Sequence, residues 1–163
     1  MMDVLGHCLF LAGCTALGLA RGMALQERTA CLDQFRRCLH RLLRELTFSL
    51  RPLPDLVADL RAGGPVGDFF TACRESEEET WSDRWQTALD SVVLPLGEED
   101  RQILRETGEV LGRYDGESQR QALEALLGRL EENLAQAKAD QDRLFRVYLA
   151  LGITAGLFGC LLF

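Results

Sequence analysis

Apolar residues are concentrated at the two ends of the chain. Residues 4–20 and 147–163 contain no Asp, Glu, Lys or Arg, and every charged side chain except Asp3 lies between them. A membrane-spanning helix needs about 17–25 apolar residues, so both segments fall at the short end of that window. We predict a transmembrane helix at residues 1–20 and a second at residues 147–163. A cleaved signal peptide is the alternative for the first, but no basic residue precedes the apolar run, as a signal peptide requires.

The intervening residues 21–146 repeat their apolar positions at helical spacing and show no strand-like alternation. An apolar repeat that averages 3.5 residues is typical of helices that pack along each other as a coiled stem. We therefore predict an all-α helical bundle with a long antiparallel two-helix stem, flanked by the two spans. The repeating leucines are Leu25, Leu32, Leu39 and Leu46 in the first long helix and Leu123, Leu127, Leu130 and Leu134 in the last.

Shorter helices are predicted between the two halves of the stem. Pro52 and Pro54 are expected to end the first long helix, because proline lacks an amide proton and disfavours a helical predecessor. Thr80 is a candidate cap for the helix that carries Trp85, and Gly116 is expected to separate the last two helices. The predicted short helices cover residues 53–62, 66–76, 81–92 and 98–112.

Basic residues adjoin both apolar segments on the same side, which predicts the orientation of the chain. Several arginines follow the first segment, Lys138, Arg143 and Arg146 precede the second, and no Lys or Arg lies beyond either. Since Lys and Arg favour the cytoplasmic side, residues 21–146 are expected to form a cytoplasmic domain. The formal net charge is -7, whereas proteins that bind nucleic acids usually carry basic surfaces, so no nucleic-acid partner is expected.

The central domain lacks a recognisable catalytic, nucleotide-binding or metal-binding pattern. The sequence contains no G-x-x-x-x-G-K-[ST] phosphate-binding loop. His40 is the only histidine of the domain, and on a helix it would lie on a different face from Cys38. We expect no catalytic residue, metal or cofactor, and we expect Cys31 and Cys38 to be packed thiols. His7, in the first predicted span, is expected at the interface, with a proton relay as the alternative.

An acidic run between two of the predicted short helices is a candidate docking surface. Such a run is usually a solvated loop or helix end. The alternative is a surface for a basic partner, whose binding would weaken as salt rises. The run consists of Glu75, Glu77, Glu78, Glu79 and Asp83, offset by Arg74 and Arg84.

Small residues in the second predicted span form a candidate helix-packing surface. Gly152 and Gly156 are four residues apart, a spacing that permits close contact between helices in lipid. The partner helix would be the other span or another subunit. Glycines are also common in spans without such a role.

Three groups of residues in the central domain form a familiar pattern. They are the segment PLPD at residues 52–55, then Trp85 with Ala88 and Leu89, and most specifically ILRETGEVLGRYDGESQ at residues 103–119. With these motifs the whole chain, including its apolar ends, resembles the stage III sporulation protein AB family of endospore-forming bacteria. The residues of the last segment that match the family's core pattern are Leu104, Gly112, Asp115, Glu117 and Gln119.

The resemblance implies a part in the channel complex that joins mother cell and forespore during sporulation. The family looks like the cytoplasmic domains of platform proteins in type II secretion and type IV pilus machines, which are thought to couple a cytoplasmic ATPase to a membrane assembly. It implies a non-enzymatic protein of the mother-cell membrane around the forespore, with its domain in the cytoplasm. Its implied partners are the sporulation ATPase and other membrane subunits of the channel complex. A membrane-bound regulator that transmits a signal is the alternative.

The turn from Gly112 to Gln119 has two interpretations. In the first it is a functional turn that contacts a partner, with Gly112, Asp115, Glu117 and Gln119 as candidate residues. In the second the glycines end and break helices, and Asp115 or Glu117 caps the last one.

Overall fold

The computed structural model describes the backbone of residues 2–48, 52–113 and 116–161, and the side chains of residues 23–46, 52–111, 117–144 and 146–147. The described residues form six α-helices, which confirms the all-α prediction. In chain order they are α1 (Met2–Phe48), α2 (Leu53–Ala58), α3 (Gly64–Glu75), α4 (Trp81–Ser91), α5 (Glu98–Arg113) and α6 (Gly116–Leu161).

Helices α1 and α6 pack along each other as an antiparallel stem. His40 on α1 lies 2.9 Å from Glu131 on α6. The carboxylate of Asp100 accepts hydrogen bonds from Arg28, which precedes His40 on α1, and from Asn133, which follows Glu131 on α6. The apolar repeat is the buried seam between the two helices, and its fully enclosed members are Leu32, Leu39, Leu42, Leu123 and Leu130.

The first short helix begins at Leu53, as predicted, and ends earlier than predicted. Pro52 is the residue before α2, and Pro54 lies in its first turn, where a missing amide proton costs no helical hydrogen bond. Pro54 therefore lies inside α2, within the predicted range 53–62, and α1 ends at Phe48, before both prolines. Helix α2 ends at Ala58, four residues before the predicted end at residue 62.

Local sequence features mark the starts of α3 and α4. Helix α3 begins at Gly64, two residues before the predicted start, and Gly64 has a φ of 58°, a left-handed value that favours glycine. Thr80 is the N-cap of α4, and its Oγ1 accepts a hydrogen bond from the Asp83 amide at 3.1 Å. The predicted cap at Thr80 is confirmed.

Four aromatic side chains form the centre of the core. Phe69 and Trp85 meet edge to face at 4.8 Å, and Phe35 meets Phe69 at 5.3 Å. Phe70 completes the cluster. The indole Nε1 of Trp85 donates to the Leu104 carbonyl at 2.7 Å, so the cluster joins α1, α3 and α4 to α5.

The predicted spans involve residues whose side chains lie outside the described part of the chain. This holds for His7, Gly152 and Gly156, although α1 and α6 include their backbone. In the part of the chain that the structure describes, no helix has an apolar stretch long enough to cross a membrane. The two spans and the packing surface at Gly152 and Gly156 stay predictions.

Candidate functional site

A buried carboxylate lies where α5 meets the stem. Asp100 is the third residue of α5, and its Oδ2 accepts a hydrogen bond from the Gly97 amide at 2.9 Å, as an acid at this position does in a capping box. The Asp100 side chain has no exposed surface. A carboxylate so enclosed needs partners for all its lone pairs.

Two other helices supply those partners. From α1, Arg28 donates through Nε at 2.7 Å and through Nη2 at 3.0 Å. From α6, Asn133 donates through Nδ2 to Asp100 Oδ1 at 3.0 Å. Burial acts to raise the pKa of Asp100, but the hydrogen bonds from Arg28, Asn133 and the Gly97 amide outweigh it and lower the pKa below its usual value. Asp100 is therefore an ionised junction between α1, α5 and α6.

Sequence reasoning missed this junction. Its one local signal is an acid three residues after Gly97, at the start of a helix. The partners Arg28 and Asn133 are 72 and 33 residues away from Asp100, and nothing in the local pattern marks them.

The candidate turn residues have different environments. Gln119 donates through Nε2 to the Leu111 carbonyl at 2.9 Å and to the Val110 carbonyl at 3.5 Å, both near the C-terminal end of α5. The last four carbonyls of an α-helix have no intrahelical donor, and Gln119 caps two of those in α5 from the first turn of α6. Gly112 lies in α5 and Asp115 lies outside the described residues.

Glu117 lies in the first turn of α6 and is exposed. Its carboxylate accepts from Arg120 at 2.8 Å and from Gln121 at 3.1 Å. The hydrogen bond from Arg120 is the main reason that the pKa of Glu117 lies below its usual value. Glu117 therefore takes part in a surface pair on α6, and the turn has a structural role at Gln119.

The structure places the acidic run around the α3–α4 loop. Glu75 is the last residue of α3, Glu77, Glu78 and Glu79 lie in the loop, and Asp83 lies in the first turn of α4. All five are exposed. Asp83 is hydrogen-bonded to Thr80. No ion pair among the described residues involves the four glutamates.

The described cysteines are inert core residues. Cys31, Cys38 and Cys73 are buried, which confirms the prediction that Cys31 and Cys38 are packed thiols. Burial raises the pKa of Cys31 and of Cys73 to about 12, so their thiols are protonated at neutral pH and are poor nucleophiles. His40 points to Glu131 on the stem surface. Among the residues that the structure describes, no group of three His, Cys, Asp or Glu could hold a metal ion.

Comparisons with known proteins cover nearly the whole chain. The family model described as Stage III sporulation protein AB matches residues 3–163. A relative named Stage III sporulation protein AB, from Bacillus subtilis (strain 168), is 26% identical over 169 residues, 99% of this chain and 99% of that protein. A solved structure named Stage III sporulation protein AB (SpoIIIAB) aligns with a TM-score of 0.61 and 25% identity, over 72% of this chain and 98% of that one.

Proposed function

Since this chain belongs to the stage III sporulation protein AB family and thereby has a role in sporulation, we propose that it is a non-enzymatic platform protein of the channel complex between mother cell and forespore. Its two ends anchor it in the mother-cell membrane around the forespore. Its helical domain faces the cytoplasm and couples a cytoplasmic ATPase to the membrane subunits of the complex.

The antiparallel stem is the observation that carries this proposal. Because α1 and α6 run in opposite directions side by side, the N-terminal part of α1 and the C-terminal part of α6 lead to the same end of the stem. Those parts continue into the apolar segments at residues 4–20 and 147–163. Two anchors at one end leave the opposite end and the short helices free to contact proteins in the cytoplasm.

The junction at Asp100 supports the mechanical part of the proposal. It fastens α5 to both stem helices through charged and polar contacts within one buried site. A force applied to the short helices is therefore passed to α1 and α6, and through them to the anchors. The exposed acidic run supplies a docking surface for a basic partner.

Co-purification tests the function directly. The full-length chain is expressed in sporulating cells, extracted in mild detergent and captured through a tag. We expect the sporulation ATPase and channel-complex membrane subunits to be retained and to migrate with the chain as one large particle. A chain that restores sporulation but migrates alone supports the regulatory alternative, and a chain that retains no ATPase contradicts the platform role.

A further inference from the structure

A groove of about 300 Å³ lies between α1 and the loop that leads into α3. Gln34, Arg37 and Arg41 line it from α1, and Arg61 lines it from the loop. All three arginines are exposed. Among the described residues Arg37 has an ion-pair partner in Asp33, whereas Arg41 and Arg61 have none. This arginine groove therefore presents two cations without a carboxylate.

The groove also contains a buried acceptor. The side-chain Oε1 of Gln34 is buried and has no hydrogen-bond partner among the described residues. Because this atom is closed off from solvent, a ligand in the groove meets the charges of Arg41 and Arg61 and not the Gln34 oxygen, so a suitable ligand brings negative charge. An acidic peptide brings one carboxylate for each of the two arginines.

A lipid headgroup fits the position of the groove poorly. On the proposed topology the first span ends near residue 20, and Arg37 lies 17 residues further along a continuous helix. At about 1.5 Å per residue this is about 25 Å from the membrane surface, beyond the reach of an arginine side chain.

The chain itself carries an acidic peptide of the required kind. The acidic loop, residues 75–79, holds Glu75, Glu77, Glu78 and Glu79, all exposed. The described ion pairs do not join this loop to the arginine groove within one molecule. The arginine groove and the acidic loop are thus both exposed and of opposite charge. A second copy of the chain always carries the acidic loop that the groove of the first copy can bind.

We propose that the acidic loop of one molecule docks in the arginine groove of a second copy of this chain. Groove and loop are different surfaces, so the contact is heterologous and joins copies head to tail. This inference names the basic partner of the acidic run within the proposed platform. It requires no contact with the ATPase, so failure of ATPase co-purification leaves it standing.

Peptide binding tests the groove. The probe is a blocked synthetic peptide of residues 74–80, titrated against the full-length chain in detergent, and the control peptide carries Gln in place of all four glutamates. We expect the acidic peptide to bind, the R41E/R61E variant to bind it at least about tenfold more weakly, and rising salt to weaken binding. The K138E/R143E variant changes the charge equally outside the groove and should bind like the unmodified chain.

Charge exchange tests the contact between copies. R41E/R61E and E77R/E79R alter exposed side chains, and their thermal unfolding midpoints should match that of the unmodified chain. In analytical ultracentrifugation each variant alone should lose self-association, because like charges then face each other. A mixture of the two should recover it, since every groove again meets a loop of opposite charge.

Three results would overturn the inference. The first is equal binding of the acidic and Gln peptides. The second is a full-length chain that stays monomeric, or an R41E/R61E variant that self-associates unchanged. The third is binding of the groove to vesicles of anionic phospholipid in the absence of any peptide binding, which would identify a lipid site.

Discussion

Asp100 joins α5 to both stem helices through hydrogen bonds. Its carboxylate has no exposed surface, and it is satisfied only when Arg28 on α1 and Asn133 on α6 are both in place. A buried ion pair adds little over an apolar pair, but loss of one member leaves the other charge or its hydrogen-bond donors unpaired. Loss of one member of the pair therefore costs more stability than the intact pair contributes.

Asp100→Asn should lower the free energy of unfolding by about 2–3 kcal/mol, because the partly buried Arg28 loses its counter-charge. Urea unfolding of the full-length chain in detergent, followed by circular dichroism, measures the change. Asp90→Asn is the matched control, since Asp90 pairs with Arg105 at 3.2 Å on the surface and should cost less than about 0.5 kcal/mol. Equal losses for the two variants would contradict a stabilising junction.

Acid should remove the contribution of Asp100 in a defined pH range. Because its pKa in the folded chain is lower than the ordinary value of 3.8, its stabilising effect is complete above that value and is lost as the pH falls through the folded-state pKa. The difference in stability between the unmodified chain and Asp100→Asn should thus be constant from about pH 5 to 7 and shrink below about pH 4. Unfolding curves of both chains at several pH values test this, and a difference that does not shrink at all between pH 5 and pH 2 would exclude it.

At the level of helices, α4 and α5 approach each other at one glycine. A Cβ added to Gly108 would clash with Cδ1 of Trp85, whose ring is fully enclosed. The contact positions the indole so that Nε1 can reach the Leu104 carbonyl on the same helix as Gly108. The glycine therefore sets the distance between the two helices and the position of the aromatic core.

Gly108→Ala should destabilise the chain by about 1–3 kcal/mol, because the added methyl forces the buried indole to move. Gly128→Ala is the control, since a Cβ at that exposed position of α6 meets nothing within 4 Å. Alanine there should stabilise the helix by about 0.5–1 kcal/mol. Thermal unfolding measures whether each variant is less or more stable than the unmodified chain. Unchanged stability of Gly108→Ala would show that α4 and α5 can move apart freely.

The helices themselves could be predicted, but the contacts between them could not. The Thr80 cap and the stripe around Trp85 are local signals, and the structure contains both. The start of α3 at Gly64 lies two residues before its predicted start, and sequence alone does not reveal the left-handed φ of that glycine. Gln119 belongs to the predicted turn, yet its hydrogen bonds to the end of α5 depend on how α5 and α6 cross.

At the scale of the whole molecule, the stem determines which parts of the chain face the same direction. Helices α1 and α6 each continue from the described bundle toward an apolar terminus. Their antiparallel packing brings both termini to one end, and the basic residues nearest to them predict that the bundle lies in the cytoplasm.

Protease added to intact cells should leave the bundle uncut, and the same protease should cleave it after permeabilisation. The chain is expressed in cells that are not sporulating, so that it lies in the outer cell membrane, and an antibody against the bundle measures both outcomes on their protoplasts. A protein of the outer surface serves as the digestion control. Cleavage of the bundle in intact cells would reverse the proposed orientation and remove the ATPase from its reach.

The buried cysteines of α1 and α3 can report local unfolding of these helices. Cys31 and Cys38 lie on α1 and Cys73 lies on α3, and all three are shielded from solvent. Since alkylating reagents attack the exposed thiolate, Cys31 and Cys73 are labelled only when α1 or α3 separates from its neighbours, whereas Cys38 borders the arginine groove. Comparing the labelling rates of Cys31 on α1 and Cys73 on α3 would therefore show, in the unmodified chain, which of the two helices separates from the bundle first.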